Sequence, residues 1–306
     1  YNYQTLREEL IAAGHTFTTK SDTEVLLHGY EQWGVDLLQR VRGMFTFVIW
    51  DKNKQELFGA RDHFGIKPFY YAKMNGTFMY ASEIKSLLRH PDFVKELNAE
   101  ALKPYMTFQY PAIGETFFKG VYKLPEGHYF TYRDGKMDIH RYYDEDFREG
   151  KQKLGELVNS IDQTVCDSVK AHQIADVEVG SFLSSGVDSS YVAAVARPQH
   201  TYSIGFGKGT YNESQQAGEL AELLKLNNTA ESLTDEEAFA AFPRIQWHLD
   251  EPDSNPSCVP LYFLSALAAK DVKVVLSGEG ADELFAGYID YGVHTKFRPI
   301  KVVTRW

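Results

Sequence analysis

A chain of 306 residues is long enough for two domains, each with its own hydrophobic core. With 43% hydrophobic and 24% charged residues, and no apolar run of membrane-spanning length, the composition is typical of a soluble globular protein without a membrane partner. The net charge of −10 argues against nucleic acid as a partner. Cys166 and Cys258 are the only cysteines, which argues against a disulfide framework and predicts a cytoplasmic location.

The first half of the chain carries helical patterns followed by β patterns. Apolar spacing predicts a helix over 3–13, and Ser21-Asp22-Thr23-Glu24 predicts the start of a second one. Three pairs of strands joined by turn sequences follow: 44–50 with 56–61, 69–72 with 77–80, and 129–132 with 136–141. We expect an antiparallel sheet with a helix over 98–108 on one side, which makes this half an α+β domain.

A charged stretch without periodicity, residues 144–150, predicts a linker. We therefore expect domains at 1–148 and 149–306. After an amphipathic helix over 154–172, strands and helices alternate, which predicts a parallel sheet flanked by helices. The predicted strands are 177–183, 201–206 and 272–276, and the predicted helices are one directly after residue 190, then 214–226, 235–249 and 260–269.

The stretch 181–190, Ser-Phe-Leu-Ser-Ser-Gly-Val-Asp-Ser-Ser, lies between an apolar strand and a helix. A loop of small residues there directs backbone N–H groups, hydroxyls and the positive end of a helix to one point, which suits a phosphate. Asp188 could hold the Mg²⁺ that neutralises a polyphosphate. The alternative is that the serines only cap the helix, and spacing alone does not separate the two interpretations.

A second candidate segment, Ser277-Gly278-Glu279-Gly280-Ala281-Asp282-Glu283, follows the predicted strand 272–276. Because open parallel sheets bind ligands at the carboxyl ends of their strands, we expect this segment, the first loop and Ile204-Gly205 to meet in one crevice. Taken alone, the three acids could be ordinary capping residues. Two such segments in one domain favour a phosphate pocket with metal-holding acids.

Several other site types are not indicated. The chain has no Gly-x-x-x-x-Gly-Lys-Ser/Thr phosphate loop, and Gly207-Lys208-Gly209-Thr210 lacks that arrangement. It also has no zinc-helix motif and no Gly-x-Ser-x-Gly elbow. None of the ten histidines pairs with another at metal-binding spacing, so structural or exposed roles are predicted for them.

The two loops resemble known signatures. Residues 184–189 resemble the pyrophosphate loop of ATP pyrophosphatases, although Ser185 replaces a glycine and must adopt a conformation open to serine. Residues 277–288 resemble the second signature of glutamine-hydrolysing asparagine synthetases. The first half is similar to the glutaminase domain of that family at 42–45, 59–68 and 81–85.

This resemblance implies an α+β N-terminal-nucleophile (αββα) glutaminase domain followed by an α/β parallel-sheet ATP-pyrophosphatase domain of the adenine nucleotide alpha hydrolase-like type. It implies that aspartate reacts with ATP to form β-aspartyl-AMP and pyrophosphate, and that ammonia from glutamine then displaces AMP. ATP as a substrate, Mg²⁺, aspartate and glutamine follow as ligands. A homodimer is the assembly considered, although no residue pattern specifies it.

The resemblance also implies roles for individual residues. The implied ATP-binding residues are Leu183, Ser184, Ser185, Gly186, Asp188, Ser189, Ile204, Ser277 and Gly278, with Leu183 and Ile204 flanking the adenine. Asp188 and Asp282 would bridge Mg²⁺, and Glu279 would be the catalytic acid for adenylate formation. In the first half, Asp22 would bind the α-ammonium group of glutamine, where the residues alone favour a helix N-cap.

Two further sites carry alternatives. Asp250-Glu251-Pro252 and the loop to Ser257 would help to hold aspartate, or else form an acidic helix end before a proline. For Arg61-Asp62 a structural ion pair is expected.

In this family the glutaminase nucleophile is an N-terminal cysteine, and the chain opens with Tyr1-Asn2-Tyr3. The sequence is therefore expected to be part of a longer protein, with the nucleophile upstream of Tyr1. Two rival interpretations remain: a related β-lactam-forming synthetase, and a degenerate amidotransferase kept as a nucleotide-sensing or scaffold module. The intact Asp188, Glu279 and Asp282 argue against the second.

Overall fold

The computed structural model describes residues 1–110, 112–146, 150–206 and 213–292. The chain divides into two compact units, Tyr1–Leu157 with Pro243–Pro256, and Val158–Phe242 with Ser257–Trp306. The predicted boundary between residues 148 and 149, like residues 207–210 of the excluded phosphate motif, lies outside the described residues. Within the described ranges, no helix combines the length and the apolar character needed to cross a membrane.

The first unit begins with the two predicted helices, α1 (Tyr3–Ala12) and α2 (Asp22–Trp33). Gly14, which follows α1, has a φ of +98°, a left-handed conformation that a glycine adopts without steric cost. Ser21 is the N-cap of α2, and its side chain accepts a hydrogen bond from the N–H of Thr23. A 3₁₀ segment, Gly34–Gln39, continues the chain.

Seven strands of the first unit form two antiparallel sheets. The strands are β1 (Thr46–Asp51), β2 (Glu56–Arg61), β3 (Tyr70–Met74), β4 (Thr77–Ala81), β5 (Val121–Lys123), β6 (His128–Arg133) and β7 (Lys136–Arg141). One sheet has the order β1-β2-β6-β7 and the other β4-β3-β5. The predicted hairpins are therefore confirmed, but the expectation of one sheet is wrong. The division arises because β2 pairs with the distant β6 rather than with β3.

Short helical segments complete the first unit. They are α3 (Ile84–Leu87), a 3₁₀ turn over Ala99–Ala101 and α4 (Leu102–Phe108). The helix predicted over 98–108 is present, but its first turn is 3₁₀. Asn98 caps that turn by accepting a hydrogen bond from the N–H of Glu100 at 3.2 Å.

Three hydrophobic clusters hold the layers of the first unit together. One joins α1 and α2 to β1 and β2 and includes Leu6 and Phe58. A second packs one sheet against the other, with Phe130 of β6 beside Phe78 of β4. A third packs the β4-β3-β5 sheet against α3 through Ile84. Side chains alternate between these clusters along each strand, as the two-residue period of a strand requires.

The second unit contains a four-stranded parallel sheet, which confirms the predicted α/β pattern. In chain order the elements are α5 (Leu154–His172), β8 (Val179–Phe182), α6 (Val187–Ala196), β9 (His200–Phe206), α7 (Glu213–Leu224), β10 (Asn227–Leu233), α8 (Asp235–Leu249), α9 (Cys258–Ala268), β11 (Val274–Leu276) and α10 (Ala281–Phe285). A 3₁₀ segment, Ile289–Gly292, follows. The first four residues of α5 and the end of α8, from Pro243, are assigned to the first unit.

Strand β10 is not expected from the sequence. Its residues are mostly polar, and Leu233 is the one buried position along it. It lies at the edge of the sheet in the order β10-β9-β8-β11 and pairs only with β9. An edge strand with one solvent-facing side needs little apolar pattern, because its pairing comes from the backbone.

Candidate active site

The order of the parallel strands reverses at β8, which pairs with β11 on one side and with β9 on the other. From β8 the chain passes to β9 and then to β10 on one side, whereas β11 pairs with the other side of β8. This reversal of strand order is the point at which open α/β sheets bind ligands, beyond the carboxyl ends of the strands. The loop after β8 and the loop after β11 both begin there.

Hydrogen bonds between its own residues close the first loop, Leu183–Ser190. The hydroxyls of Ser184 and Ser189 lie 2.7 Å apart, and the N–H of Ser184 donates to Ser189 Oγ at 3.1 Å. The N–H of Gly186 donates to Ser184 Oγ at 3.1 Å, and Ser190 Oγ donates to the carbonyl of Gly186 at 2.6 Å. The loop is therefore organised by serine hydroxyls that can also reach a ligand.

The start of α6 is open to an anion. Gly186 is the N-cap residue, and no side chain caps the helix. The capping interpretation of the serines therefore holds only for the N–H of Gly186, which donates to Ser184 Oγ. The helix has no other side-chain cap among the described residues, so its next N–H groups can face an anion. Ser185 is exposed and does not occur among the described non-glycine residues with positive φ, so serine fits where related loops have glycine. Asp188 lies half-buried in the first turn.

The second loop touches the first. An ideal Cβ built on Gly278 would lie 2.8 Å from the backbone nitrogen of Ser189 and 2.9 Å from Cβ of Asp188. Both atoms belong to the rigid part of the first loop, so only glycine fits at position 278. The strands below are also joined, because Ser181 Oγ donates to the carbonyl of Leu276 at 3.3 Å. The sequence-based expectation that these two segments meet is confirmed, whereas a shared crevice with Ile204-Gly205 stays a prediction.

The three acids of the second loop have different surroundings. Glu279 is exposed, and its backbone N–H lies 3.4 Å from Ser277 Oγ. Asp282 is half-buried in the first turn of α10, and an ideal Cβ on Gly287 would lie 1.8 Å from its Oδ1. Gly287 therefore leaves room for that carboxylate, a role that sequence reasoning did not assign.

The carboxylate of the third acid, Glu283, already has a hydrogen-bond partner. It accepts a hydrogen bond from the hydroxyl of Tyr288 at 2.8 Å. This bond raises the pKa of Tyr288 from 10.0 to about 12. Since the Glu283 carboxylate has a partner within its own loop, Glu279 and Asp282 are the better candidates for ligand or metal contacts.

Of the predicted adenine-flanking residues, Leu183 directly follows β8 and Ile204 lies within β9. The Leu183 side chain is 2% exposed and belongs to the cluster of Ala193 and Ala217. Its N–H donates to the carbonyl of Tyr202 at 2.8 Å, and its carbonyl accepts from Ser203 Oγ at 2.7 Å. Ile204 is half-buried in β9. The core position of Leu183 gives its side chain no exposed face, and the adenine role of both residues stays a prediction.

In the first unit, Asp22 is the first residue of α2 rather than its cap. The cap is Ser21, so the N-cap interpretation of Asp22 is wrong. Asp22 is exposed, and its backbone carbonyl accepts a hydrogen bond from the Tyr1 hydroxyl. Burial is the main cause that raises the pKa of Tyr1, with the Asp22 charge second. The Oδ1 of the Asp22 carboxylate accepts a hydrogen bond from the Thr23 hydroxyl at 3.5 Å, and its role in binding glutamine stays a prediction.

The Asp250 carboxylate is engaged within the first unit. Its Oδ2 accepts from the N–H of Ile84 at 2.6 Å, and its Oδ1 lies 2.8 Å from Lys85 Nζ. Asp250 thus caps α3, whose own N-cap residue Glu83 contributes no side-chain cap. Asp250 itself adopts a φ of +64°, a left-handed conformation that aspartate tolerates better than most residues.

The Glu251 carboxylate is 7% exposed and has two partners. Its Oε1 accepts from the N–H of Phe117 at 3.1 Å, and its Oε2 lies 2.6 Å from Lys123 Nζ. Neither Asp250 nor Glu251 therefore presents a free carboxylate to an aspartate substrate. Their contacts are structural. Because α8 ends at Leu249, the interpretation of these residues as an acidic helix end before a proline is confirmed.

Arg61 and Asp62 are structural, as expected, but they do not form the expected ion pair with each other. Arg61 donates to the carbonyls of Lys67, Gly65 and Leu124 at 2.6–2.8 Å. Asp62 is 1% exposed and accepts from the N–H groups of Ile66 and Lys67, both at 2.9 Å. Adjacent side chains pointing to different backbone groups hold the 61–67 turn.

Comparison with known proteins adds the family. Residues 1–143 match the glutamine amidotransferase domain family, and residues 160–301 match the asparagine synthase family. An asparagine synthetase [glutamine-hydrolyzing] 1 of Bacillus subtilis is 42% identical over 306 residues, which covers 98% of this chain and 48% of that protein. A putative asparagine synthetase [glutamine-hydrolyzing] of Mycobacterium bovis is 41% identical over 317 residues, with the same coverage of 98% and 48%.

One solved structure is similar only at low level. A glutamine-dependent NAD⁺ synthetase of Acinetobacter baumannii is 13% identical, with a TM-score of 0.32, and the match covers 94% of this chain and 73% of that one. The chain spans about half the length of the curated relatives it matches. An amidotransferase domain followed by an asparagine synthase domain, at this identity along nearly the whole chain, places the chain in the family of glutamine-hydrolysing asparagine synthetases.

Proposed function

We propose that this chain is part of an enzyme that makes L-asparagine from L-aspartate, ATP and ammonia released from L-glutamine. The observation that carries the proposal is the contact between the loops after β8 and β11 at the reversal of strand order. It brings the open start of α6 and the acids of the second loop to one edge of the sheet. That combination suits a nucleoside triphosphate and its metal ion.

In the first step, an oxygen of the aspartate β-carboxylate attacks the α-phosphorus of ATP. The new P–O bond gives β-aspartyl-AMP, and the bond to the β-phosphate breaks, so that pyrophosphate leaves with the electron pair. In the second step, ammonia attacks the β-carbonyl carbon, AMP leaves, and loss of a proton gives asparagine. The ammonia comes from hydrolysis of glutamine to glutamate.

The first loop is proposed to bind the departing pyrophosphate. Charge grows on its oxygens as the bond breaks, so donors already aimed at that position stabilise the transition state. The N–H groups at the start of α6 and the hydroxyls of Ser184 and Ser189 supply these donors. Each hydroxyl now faces the other at 2.7 Å and can turn toward phosphate without moving the backbone. Glu279 is proposed to assist adenylate formation.

Asp188 and Asp282 are proposed to hold Mg²⁺. They fit because each is a half-buried carboxylate, one on each of the two touching loops, and Gly287 leaves Oδ1 of Asp282 without a covering side chain. Mg²⁺ takes oxygen ligands of this type. Bound there, it would neutralise part of the triphosphate charge.

We further propose that the first unit has the N-terminal-nucleophile αββα fold and binds glutamine. The order of packed layers, α1 and α2, two sheets, then α3, supports that fold. The exposed carboxylate of Asp22, which accepts a long hydrogen bond of 3.5 Å from Thr23 Oγ1, supports binding of the α-ammonium group. A domain boundary between 148 and 149, a homodimer and a cytoplasmic location stay predictions.

The test is aspartate-dependent release of pyrophosphate from ATP by the full-length protein that contains this chain. Asp188→Asn and Glu279→Gln should each lower that rate by about 10²-fold or more, because they remove charge needed in the transition state. Glu283→Gln is the matched control, since its carboxylate is bonded to Tyr288 and should matter far less. Full activity of the first two variants would remove them from the mechanism, and pyrophosphate release without aspartate dependence would favour a carboxylic acid substrate other than aspartate.

A second test addresses the first unit. Asp22→Ala should raise the KM for glutamine, because the variant loses the partner of the α-ammonium group. Synthesis from free ammonia is the internal control and should be unchanged. An equal fall in both reactions would instead make Asp22 a structural residue.

A further inference from the structure

The fold brings two histidines together beside α2. His15 lies between α1 and α2, His28 lies on α2, and their ring centroids are 5.0 Å apart. No two histidines have metal-binding spacing along the chain, as the sequence indicates. The fold nevertheless brings these two rings together, so sequence spacing did not predict the pair. The pair belongs to the first unit, whereas the loops after β8 and β11 belong to the second.

Glu31 faces both rings. Its Oε2 lies 2.8 Å from Nδ1 of His28 and 3.9 Å from Nδ1 of His15. The three donor atoms that these residues offer lie within 4.8 Å of one another. Zinc–ligand bonds of about 2.0–2.1 Å in a tetrahedral site place neighbouring donors roughly 3.3 Å apart. The two distances from Glu31 Oε2 to the histidine nitrogens lie on either side of that value. Small rotations of these side chains would therefore bring all three donor atoms to tetrahedral spacing.

The opposite ring nitrogens also face oxygen atoms. Nε2 of His15 lies 2.9 Å from Oε1 of Gln32, and an amide oxygen only accepts, so Nε2 carries the proton and Nδ1 the lone pair. Nε2 of His28 lies 3.7 Å from Oε1 of Glu24. Oxygen acceptors behind both rings are the outer contacts that metal-binding histidines commonly have, because they orient the ring and select the tautomer.

The supporting carboxylate is held in place. Oε1 of Glu24 accepts from the N–H of Thr18 at 2.7 Å, and its Oε2 accepts from the N–H of Thr19 at 2.7 Å. The two histidine side chains are less exposed than the carboxylate. His15 and His28 are 17% and 18% exposed, and Glu31 is 53% exposed. The rings are therefore shielded and oriented, and Glu31 leaves one side open to solvent for entry of an ion.

We propose that His15, His28 and Glu31 form a binding site for a divalent transition-metal ion such as Zn²⁺. Two imidazoles and one carboxylate favour zinc, copper and nickel over magnesium and calcium, which prefer oxygen-only ligand sets. Three protein ligands leave the fourth position of zinc to water. The ion would tie the segment between α1 and α2 to the second of these helices. This site is independent of the proposed synthetase activity.

The test is titration of the metal-free 306-residue chain with Zn²⁺ by isothermal calorimetry. We expect one saturable equivalent, with at least about tenfold weaker binding in His28→Ala and in Glu31→Gln, since each removes one of three ligands. His90→Ala is the matched control, because His90 is an exposed histidine paired with Asp92 and should not affect the affinity. Absence of a saturable equivalent, or equal binding by all these variants, would overturn the proposal.

Two spectra on the unaltered chain give a readout that does not depend on whether a variant folds. The EPR spectrum of the Cu²⁺ complex should show splitting from two imidazole nitrogens, and splitting from none would refute the site. The absorption spectrum of the Co²⁺ complex should lack a thiolate charge-transfer band, which excludes Cys166 and Cys258 as the ligands. A strong thiolate band at the first equivalent would assign the ion to a cysteine and refute the proposal.

Discussion

Gly278→Ala tests the contact between the loops after β8 and β11. The added Cβ would lie 2.8 Å from the nitrogen of Ser189, 2.9 Å from Cβ of Asp188 and 3.0 Å from its carbonyl carbon. Ordinary contacts of a Cβ begin near 3.4 Å, so one loop must move by roughly half an ångström or more. None of the three atoms is the end of a flexible side chain, so a change of rotamer cannot relieve the overlap.

We expect Gly278→Ala to lower both the stability of the chain and the rate of the proposed reaction. Overpacking at a rigid contact destabilises a protein by about 1–3 kcal/mol. The displaced atoms include the backbone nitrogen of Ser189 and the Cβ that carries the Asp188 carboxylate. Because a misplacement of about 1 Å in an active site can cost about 10²-fold in rate, we expect pyrophosphate release to fall by roughly 10- to 100-fold.

Urea unfolding of the chain measures the first effect, and aspartate-dependent pyrophosphate release by the full-length protein measures the second. Gly218→Ala is the matched control, because Gly218 lies in α7 and an added Cβ meets no atom within 4 Å. That variant should be stabilised by about 0.5–1 kcal/mol, as a glycine replaced by alanine within a helix. A Gly278→Ala protein with full stability and full activity would refute the packing of the two loops.

Two further predictions concern the first unit. Glu251→Ala should lower the free energy of unfolding, measured with urea, by about 2–4 kcal/mol, because it leaves the N–H of Phe117 and the ammonium group of Lys123 without their partner. Glu251→Gln keeps an acceptor and should lower it less. A decrease below about 0.5 kcal/mol for the alanine variant would contradict this prediction. Burial, followed by the charges of Glu251 and Asp250, raises the pKa of Tyr70 from 10.0 to about 12. The neutral phenol is favoured in the folded state, so the stability contribution is complete below pH 10 and is lost as the pH rises toward 12. NMR titration of the tyrosine ring carbons, assigned with Tyr70→Phe, should show this pKa, and its decrease in Glu251→Gln; a value near 10 would refute the effect.

Local chemistry allowed the regular elements to be predicted from the sequence. The two hairpin turns at Asn75-Gly76 and Asp134-Gly135 have positive φ at both residues, as a tight turn between antiparallel strands requires. Ser21 before an apolar repeat is a helix start whatever surrounds it. Two of the missed elements, β10 and the brief β5, have little or no local pattern, because pairing with a neighbouring strand stabilises them.

The sequence by itself determined the small-residue loop after β8, the acids after β11 and the parallel sheet that carries both, because these depend on residue types and spacings along the chain. Tertiary structure decided which groups meet. It placed Gly278 against Ser189, capped α3 with the carboxylate of Asp250, and brought His15 next to His28. Such contacts join residues far apart in sequence, and the packing of strands and helices, which no local pattern encodes, decides them.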